Sequence, residues 1–270
     1  MYLSRHQTTT GAQWAADGVA LPAGVDLSFM LNLPSDAMAA TIESLKTGVE
    51  AAGDLLPPID AQQEVWACGV TYLKSREARK EESDSADVYE KVYDAERPET
   101  FFKSAGWRSS GHGQTVRIRK DSAWNVPEPE LTLVINAQGE IVGYTTGNDM
   151  SSRDIEGENP LYLPQAKVYD GSCAVGPGIQ LAPAETMTDL PITLQIERAG
   201  AMMFDDSTST SQLKRTVQEL VSCLYSEMSF PYGALLMTGT CLVPPNEFTL
   251  QSGDLIRIGV GGLVMENTVA

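Results

Sequence analysis

Histidine and cysteine are scarce in this sequence, and neither is arranged for a zinc site. The 270 residues include two histidines, His6 and His112. The four cysteines form no Cys-x-x-Cys pair: Cys68, Cys173, Cys223 and Cys241. Because zinc sites need clusters of these ligands, the sequence argues against a zinc protein. Scattered cysteines without a secretion signal are typical of reduced thiols, so we expect a cytoplasmic protein.

The sequence also lacks long apolar runs and a surplus of basic residues. No segment reaches the roughly 18 apolar residues of a membrane span, and the N-terminus has no signal-peptide pattern. The 19 lysines and arginines against 36 acidic residues give a net charge of −17. That balance argues against nucleic acid and anionic lipid as partners. With 42% hydrophobic residues, the chain can bury a sizeable core.

The first sixty residues differ in pattern from the rest. A helix is predicted from Ser35 to Gly53, with Ser35 or Asp36 as its N-cap and apolar residues on one face (Ile42, Leu45 and Val49). The Pro-containing stretch 55–59 then indicates a linker. We therefore expect a small N-terminal α+β domain over residues 1–62 and a larger domain over residues 63–270.

The larger part is predominantly β in pattern. Residues 131–135 predict a strand, 136–139 its turn and 141–144 the returning strand. Residues 191–196 and 255–258 repeat the strand signal. One amphipathic helix is predicted behind a Thr/Ser-rich cap at 208–211, with these residues on its apolar face: Leu213, Val217, Leu220, Val221, Leu224 and Met228. The pattern favours an α+β class, predominantly β, with a rolled sheet.

Three acidic residues stand on this predicted strand pair: Glu128, Glu130 and Asp149. Residues i and i+2 of a strand point to the same face, so Glu128 and Glu130 lie close together. Such a pair raises its own pKa values unless a cation lies between the carboxylates. All-oxygen ligands suit Mg²⁺, Mn²⁺ or Ca²⁺ rather than zinc. Taken alone, a Glu-x-Glu pair is more often a solvated acidic edge.

The motifs around these acids resemble the fumarylacetoacetate hydrolase family. The resemblance covers roughly residues 63–270 and rests on an ordered set of segments: 128–130, 148–154, 167–177, 238–240 and 253–255. It implies a mixed β-roll that holds one Mg²⁺ or Mn²⁺ on Glu128, Glu130 and Asp149. It also implies a substrate with a 2-oxo acid or β-diketone group, which can chelate the metal through two oxygens.

The resemblance gives roles to further residues. Lys167 matches a family lysine beside the metal, which can pair with the substrate carboxylate or transfer a proton; without the motif it would be an ordinary surface lysine. Thr240 matches a position that contacts the substrate carboxylate. Arg153 could be a second anion anchor, although an internal ion pair is the commoner role of an arginine followed by aspartate.

One segment departs from the family pattern. Carbon–carbon hydrolases of the family carry Gly-x-Asn-Tyr-x-x-His-x-x-Glu, whose His–Glu pair activates water. Here Ser75 stands at the histidine position and Ala78 at the glutamate position. Without an imidazole, a water-activating base has no obvious candidate near neutral pH. Tyr72 and Ser75 remain candidate substrate contacts.

The segments 66–72, 81–83, 125–130 and 167–173 look instead like the family's sugar-acid dehydratases, of the 2-keto-3-deoxy-arabinonate type. Such an enzyme removes a proton from C3 and expels the C4 hydroxyl as water, so it needs no activated water. The acidic segment 80–97 is either a solvated helix or loop, or a lid that brings Glu81 or Glu82 to the site as an acid or base.

Three functions are therefore compared. The leading hypothesis is a Mg²⁺-dependent dehydratase of 2-keto-3-deoxy pentonates. The second is a family hydrolase, tautomerase or decarboxylase that acts on acylpyruvates or oxaloacetate, which the missing histidine argues against. The third is a non-catalytic metal-binding or ligand-binding relative. The family also implies a homodimer.

Overall fold

The structure, a computed structural model, describes residues 1–73 and 92–270. The strands in this part of the chain are β1 (Tyr2–Thr8), β2 (Gly11–Ala16), β3 (Val19–Ala20), β4 (Asp54–Leu56), β5 (Glu64–Gly69), β6 (Glu99–Ala105), β7 (Thr115–Val116), β8 (Asn125–Val126), β9 (Pro129–Ile135), β10 (Ile141–Asp149), β11 (Ser151–Ser152), β12 (Cys173–Leu181), β13 (Pro191–Arg198), β14 (Ala201–Ser209), β15 (Ala234–Met237), β16 (Leu255–Val260) and β17 (Leu263–Val269). The α-helices are α1 (Leu27–Leu31), α2 (Ser35–Leu45), α3 (Arg153–Glu158), α4 (Leu163–Lys167) and α5 (Val217–Tyr225).

Two mixed sheets dominate the described residues, as the sequence predicts. The larger sheet has the order β3-β2-β1-β12-β10-β9-β15-β5-β6, with β4 added to β1. The smaller has the order β14-β13-β16-β17-β7. The main hydrophobic core combines apolar side chains of β9 with those of β13 and β16, for example Leu133, Leu194 and Ile258. Strand β9 is buried along its whole length, so the site next to it stands on a rigid element.

The predicted hairpin is present as β9 and β10. These strands pair antiparallel, with Ile141 opposite Ile135 and Gly147 opposite Glu130. Asn136 closes the turn, because its side-chain oxygen accepts hydrogen bonds from the backbone N–H groups of Gln138 and Glu140. Asparagine favours such turns for this reason. The predicted strands at 191–196 and 255–258 are also present, within β13 and β16.

The first predicted helix is shorter than expected. Helix α2 ends at Leu45 instead of Gly53, and Val49 is 63% exposed instead of packed. The chain leaves the helix because Thr47 binds the carbonyl of Ala20 through both its backbone N–H and its hydroxyl. Part of the expected linker is also structured, since β4 pairs with β1.

The second amphipathic helix begins later than predicted. Residues 208–211 lie at the end of β14 and in the following 3₁₀ turn, and the N-cap of α5 is Thr216. Thr216 and Glu219 form a reciprocal capping box, which satisfies backbone donors at the start of the helix. Leu213 and Met228 therefore lie outside the helix.

The first sixty residues share a sheet and a core with the rest of the chain. Strand β1 pairs with β12, and Leu3 and Trp14 belong to the same hydrophobic cluster as Val134 and Leu235. The domain boundary at residue 62 stays a prediction. The four cysteines are free thiols, and three are buried. Among the described residues, no helix is long and apolar enough to cross a membrane.

Candidate metal centre

The three predicted carboxylates meet in the structure. Glu130 lies in β9, Glu128 just before it, and Asp149 at the end of β10. Each offers one oxygen, and these oxygens all lie within 4.8 Å of one another. The hairpin register explains this meeting, because Gly147 opposite Glu130 brings Asp149, two residues on, level with Glu128. The backbone N–H of Asp149 donates to the carbonyl of Glu128 at 3.0 Å.

Three buried cations surround the carboxylates. Lys167 Nζ contacts Glu128 Oε2 and lies 3.0 Å from Asp149 Oδ2. Lys103 Nζ lies 2.5 Å from Asp149 Oδ1, and Arg153 Nη2 lies 2.7 Å from Glu128 Oε1. Buried charges are tolerated when they are paired in this way.

Glu130 differs from Asp149 in its electrostatic surroundings. Burial, followed by the charges of Asp149 and Glu128, raises the pKa of Glu130 well above its usual value, although Lys167 and the Gly239 N–H partly oppose this. That N–H donates to Glu130 Oε2 at 2.6 Å. Burial also acts to raise the pKa of Asp149, but the charges of Lys103 and Lys167 outweigh it and lower that pKa. Of the three carboxylates, Glu130 is thus the one whose negative charge is least compensated by neighbouring cations.

The residues present fit a hard divalent cation. Their ligand atoms are carboxylate oxygens, which Mg²⁺ and Mn²⁺ prefer. Burial, followed by the charges of Asp149 and Glu128, raises the pKa of Glu130, and a cation bound between the three acids would offset their mutual repulsion. Glu128, Glu130 and Asp149 would hold such a cation, which would have further positions for oxygen ligands from a substrate and water.

A small pocket opens onto the carboxylates. Thr240 and Lys167 line it, and their roles as substrate contact and catalytic residue stay predictions. Tyr72 and Arg153 are completely buried and are not among the lining residues, so their contact with substrate stays a prediction. The lining residues are Cys68, Gly69, Val70, Glu99, Phe101, Glu128, Glu130, Asp149, Glu156, Leu163, Lys167, Gly239 and Thr240.

Arg153 has the internal ion pair that the sequence favours, but with a different partner. It pairs with Glu128, whereas the adjacent Asp154 accepts hydrogen bonds from Ser122 and Ala123. Ser75, Glu81 and Glu82 lie outside the described residues, and their roles stay predictions.

Sequence reasoning missed Lys103 and Glu156. Lys103 is fully buried in β6, and its ammonium also donates to the carbonyls of Met150 and Lys167. A lysine directly after Phe101 and Phe102, in a strand pattern, was the available signal. Glu156 lies in α3 and lines the pocket; one turn after Arg153, it carried no signal that distinguished it from a solvated acid.

A tight contact positions the Gly239 donor. Thr71 Oγ1 donates to the carbonyl of Thr238 at 2.6 Å. Gly239 has a φ of +93°, and a Cβ there would lie 2.0 Å from Thr71 Oγ1. The turn therefore requires glycine for both conformation and space.

Replacing Gly239 with alanine should destabilise the protein and weaken metal binding, because the turn must move away from Glu130. We expect a loss of more than about 2 kcal/mol in the free energy of unfolding, beyond the usual cost of a left-handed alanine. Gly253→Ala is the matched control, since Gly253 has a φ of +91° but a Cβ there meets nothing within 4 Å. Denaturant unfolding and Mg²⁺ titration would test this; equal effects of the two substitutions on Mg²⁺ affinity would contradict it.

Comparison with known proteins agrees with the resemblance seen in the sequence. The family model described as "Fumarylacetoacetate (FAA) hydrolase C-terminal" matches residues 64–270. The chain is 50% identical over 214 residues to the "Probable 2-keto-3-deoxyxylonate dehydratase" of Haloferax volcanii, covering 78% of this chain and 73% of that protein. It is 42% identical over 211 residues to the 2-dehydro-3-deoxy-D-arabinonate dehydratase of Saccharolobus solfataricus, covering 76% and 70%.

A solved structure of a dehydratase has a fold similar to that of this chain. It is 2-keto-3-deoxy-D-arabinonate dehydratase complexed with magnesium and 2,5-dioxopentanoate. The TM-score is 0.79 at 32% identity, and the match covers 100% of this chain and 98% of that one. The predicted family and the predominantly β fold are thereby confirmed.

Proposed function

Because this chain belongs to the fumarylacetoacetate hydrolase family, we propose that it is a Mg²⁺-dependent dehydratase of 2-keto-3-deoxy pentonates. One observation carries the proposal: a buried triad of carboxylates faces Lys167 in a pocket lined, among the described residues, by no histidine. The relatives named as 2-keto-3-deoxy pentonate dehydratases support the same reaction.

The positions of the two histidines support elimination over hydrolysis. His6 lies on β1, where its ring contacts Ser4 Oγ and the carbonyl of Gly53. His112 Nδ1 accepts a hydrogen bond from the backbone N–H of Glu266. Neither lines the pocket. A family hydrolase needs a base that activates water, whereas an elimination does not.

The cation would be held by Glu128, Glu130 and Asp149, and it would supply positive charge beside the 2-oxo group, which makes the C3 protons more acidic. Thr240 and Lys167 orient the substrate carboxylate. Lys167 also exchanges a proton with the substrate in this proposal. Its ammonium is placed for this because it contacts Glu128 and lies 3.0 Å from Asp149, beside the proposed metal site. Glu81 or Glu82 supplies the second proton-transfer group in this proposal.

The reaction balances without a co-reactant. A proton leaves C3, the C4–O bond breaks, and the hydroxyl leaves with a proton as water. A double bond then joins C3 and C4. Movement of one proton from C5 to C3 gives the enol with a C4–C5 double bond. Transfer of the enol O–H proton to C4 then converts C5 into an aldehyde, which gives 2,5-dioxopentanoate.

A proton NMR time course with Mg²⁺ tests the function. The substrates are 2-keto-3-deoxy-arabinonate, its xylonate-derived epimer, an acylpyruvate and oxaloacetate. We expect a sugar acid to disappear as an aldehyde resonance grows, and Lys167→Met to lower kcat by about 10²-fold or more while the protein stays folded. Cleavage of the acylpyruvate, or loss of CO₂ from oxaloacetate, with both sugar acids unchanged would overturn the proposal. An intact panel would favour a non-catalytic relative.

We also propose that the enzyme is a cytoplasmic homodimer. Reduced, mostly buried cysteines support the cytoplasmic location. The homodimers that are common in the family support the dimer. Sedimentation that returns a single species near 29.1 kDa would contradict the dimer.

A further inference from the structure

We propose that Arg119 is a positioning residue, which holds helix α4 so that the ammonium of Lys167 reaches the metal-binding carboxylates. Arg119 is not among the described residues that line the pocket, and it acts through the backbone of α4. This inference rests on the proposed function for the catalytic role of Lys167, whereas the placement of the Lys167 side chain can be tested without turnover.

Helix α4 cannot fix Lys167 by itself. It has only five residues, Leu163–Lys167, and no side chain caps its N-terminus. A helix this short is not stable in isolation. The last carbonyl groups of a helix have no intrahelical partner and need donors from elsewhere. Because Lys167 is the last residue of α4, the position of its ammonium depends on those outside contacts.

Two cationic side chains supply such donors, one from each sheet. Arg119 Nη1 donates to the carbonyl of Gln165 at 3.0 Å, and Lys103 Nζ donates to the carbonyl of Lys167. Arginine and lysine commonly bind the last carbonyls of a helix in this way. Lys103 stands on β6 of the larger sheet, whereas Arg119 follows β7 of the smaller sheet. Helix α4 is therefore tied to both sheets.

The guanidinium of Arg119 is itself fixed. Its Nε lies 2.8 Å from Asp121 Oδ1, and its Nη2 lies 2.6 Å from Asp121 Oδ2. Its Cζ lies 5.7 Å from the centroid of the Tyr169 ring, two residues after Lys167. A bidentate pair of this kind orients the planar guanidinium, and lysine cannot reproduce it. The third donor of Arg119 is thereby directed at the Gln165 carbonyl.

Residues 117–121 also bind the chain that follows α4. The backbone N–H of Arg117 donates to the carbonyl of Gly171 at 2.9 Å, and the Tyr169 hydroxyl donates to the carbonyl of Arg117 at 3.2 Å. These contacts come after Lys167 in the sequence, whereas the contact of Arg119 with Gln165 comes before it. Removal of the Arg119 side chain leaves the later contacts in place. We therefore expect α4 to shift while the rest of the fold stays closed.

Chemical labelling of lysine amines tests the inference. Reductive methylation of the Mg²⁺-loaded full chain, followed by peptide mass spectrometry, reports how often the buried amine of Lys167 becomes accessible. Loss of a charge-assisted hydrogen bond should let α4 open more often, so we expect Arg119→Ala to raise the labelling rate of Lys167 about tenfold. Arg119→Lys keeps a cationic donor and should raise this rate less. Lys120→Ala is the matched control, because Lys120 is adjacent, exposed and of the same charge; it should leave the rate unchanged.

Lys103 is the internal reference for global unfolding, since it is fully buried in β6 and lies outside α4. A rise in labelling at Lys167 with Lys103 still protected is the expected result. An unchanged Lys167 rate in Arg119→Ala, or an equal rise at Lys103 and Lys167, would overturn the inference. If Arg119→Ala does not fold, Arg119→Lys takes its place, and an unchanged Lys167 rate in that variant would refute the inference equally.

Kinetics then separate this inference from the proposed function. If dehydration is observed, Arg119→Ala should lower kcat about tenfold or more, because Lys167 is misplaced. The Kd for Mg²⁺ should stay unchanged, since none of the three metal-binding carboxylates lies on α4. Arg119→Lys should recover part of kcat. Equal losses in kcat and Mg²⁺ affinity would indicate a general structural role and contradict the inference. Selective labelling of Lys167 without turnover of any substrate would support the inference and overturn the proposed function.

Discussion

Substitution of Glu130 with glutamine is expected to abolish Mg²⁺ binding and to lower kcat/KM roughly 10³-fold or more, since charge stabilisation by a metal contributes several kcal/mol. Glutamine keeps the shape of the side chain, and its amide oxygen can still accept the hydrogen bond from the Gly239 N–H. The substitution therefore removes a charged ligand with little change in packing. Calorimetric titration with Mg²⁺ and steady-state kinetics would measure both effects.

The same variant should be more stable than the wild type when metal is removed. The pKa of Glu130 is raised in the fold by burial and by the charges of Asp149 and Glu128. An acid whose pKa is higher in the folded than in the unfolded chain costs stability as the pH rises through the folded value. Wild-type protein in a chelator should thus melt at a lower temperature than Glu130→Gln near neutral pH.

Adding Mg²⁺ should reverse this order. A ligand that binds the native state raises Tm, so Mg²⁺ should raise the Tm of the wild type and leave that of Glu130→Gln unchanged. The exposed variant Glu158→Gln should behave as the wild type in both conditions. A Tm of Glu130→Gln that rises with Mg²⁺ as much as the wild type would show that Glu130 is not a ligand.

The position of this triad was predictable because its determinants are local. Alternation along a strand places Glu128 and Glu130 together, and the turn that Asn136 forms fixes the register of the hairpin. Asp149 follows from that register. Such signals depend on residues that lie within about twenty positions of one another. They can therefore be recognised in a single sequence.

The end of helix α2 could not be predicted for the opposite reason. The spacing of apolar residues that predicts a helix continues to Val49. However, Thr47 binds the carbonyl of Ala20, 27 residues earlier in the chain. A long-range hydrogen bond thereby overrides the local period. The same holds for Lys103, whose partners lie 46 residues or more away, on β10 and at the end of α4. No local pattern specifies those contacts.

Those contacts make Lys103→Met the substitution with the largest expected effect on stability. Lys103 is fully buried, and its ammonium contacts Asp149 Oδ1, the carbonyl of Met150 and the carbonyl of Lys167. Methionine fills similar space but donates no hydrogen bond. Breaking a buried ion pair by removing one partner typically costs about 3–5 kcal/mol. We expect a loss of that size in guanidinium unfolding. Lys46→Met is the control without a comparable loss, because Lys46 follows α2 and pairs with two exposed acids, Asp17 and Glu43.

A double-mutant cycle with Asp149→Asn would show whether the charge pair causes the loss. The charges of Lys103 and Lys167 lower the pKa of Asp149 despite its burial, so Lys103→Met alone leaves a carboxylate with one of its two compensating cations. Lys103→Met/Asp149→Asn removes that carboxylate as well, and should be less destabilised than the sum of the two single variants. Strictly additive losses would mean that Lys103 stabilises the fold through packing and its hydrogen bonds to the carbonyls of Met150 and Lys167, and not through Asp149. A non-additive result would identify Lys103 as the residue that joins the metal-binding end of β10 to the helix carrying Lys167.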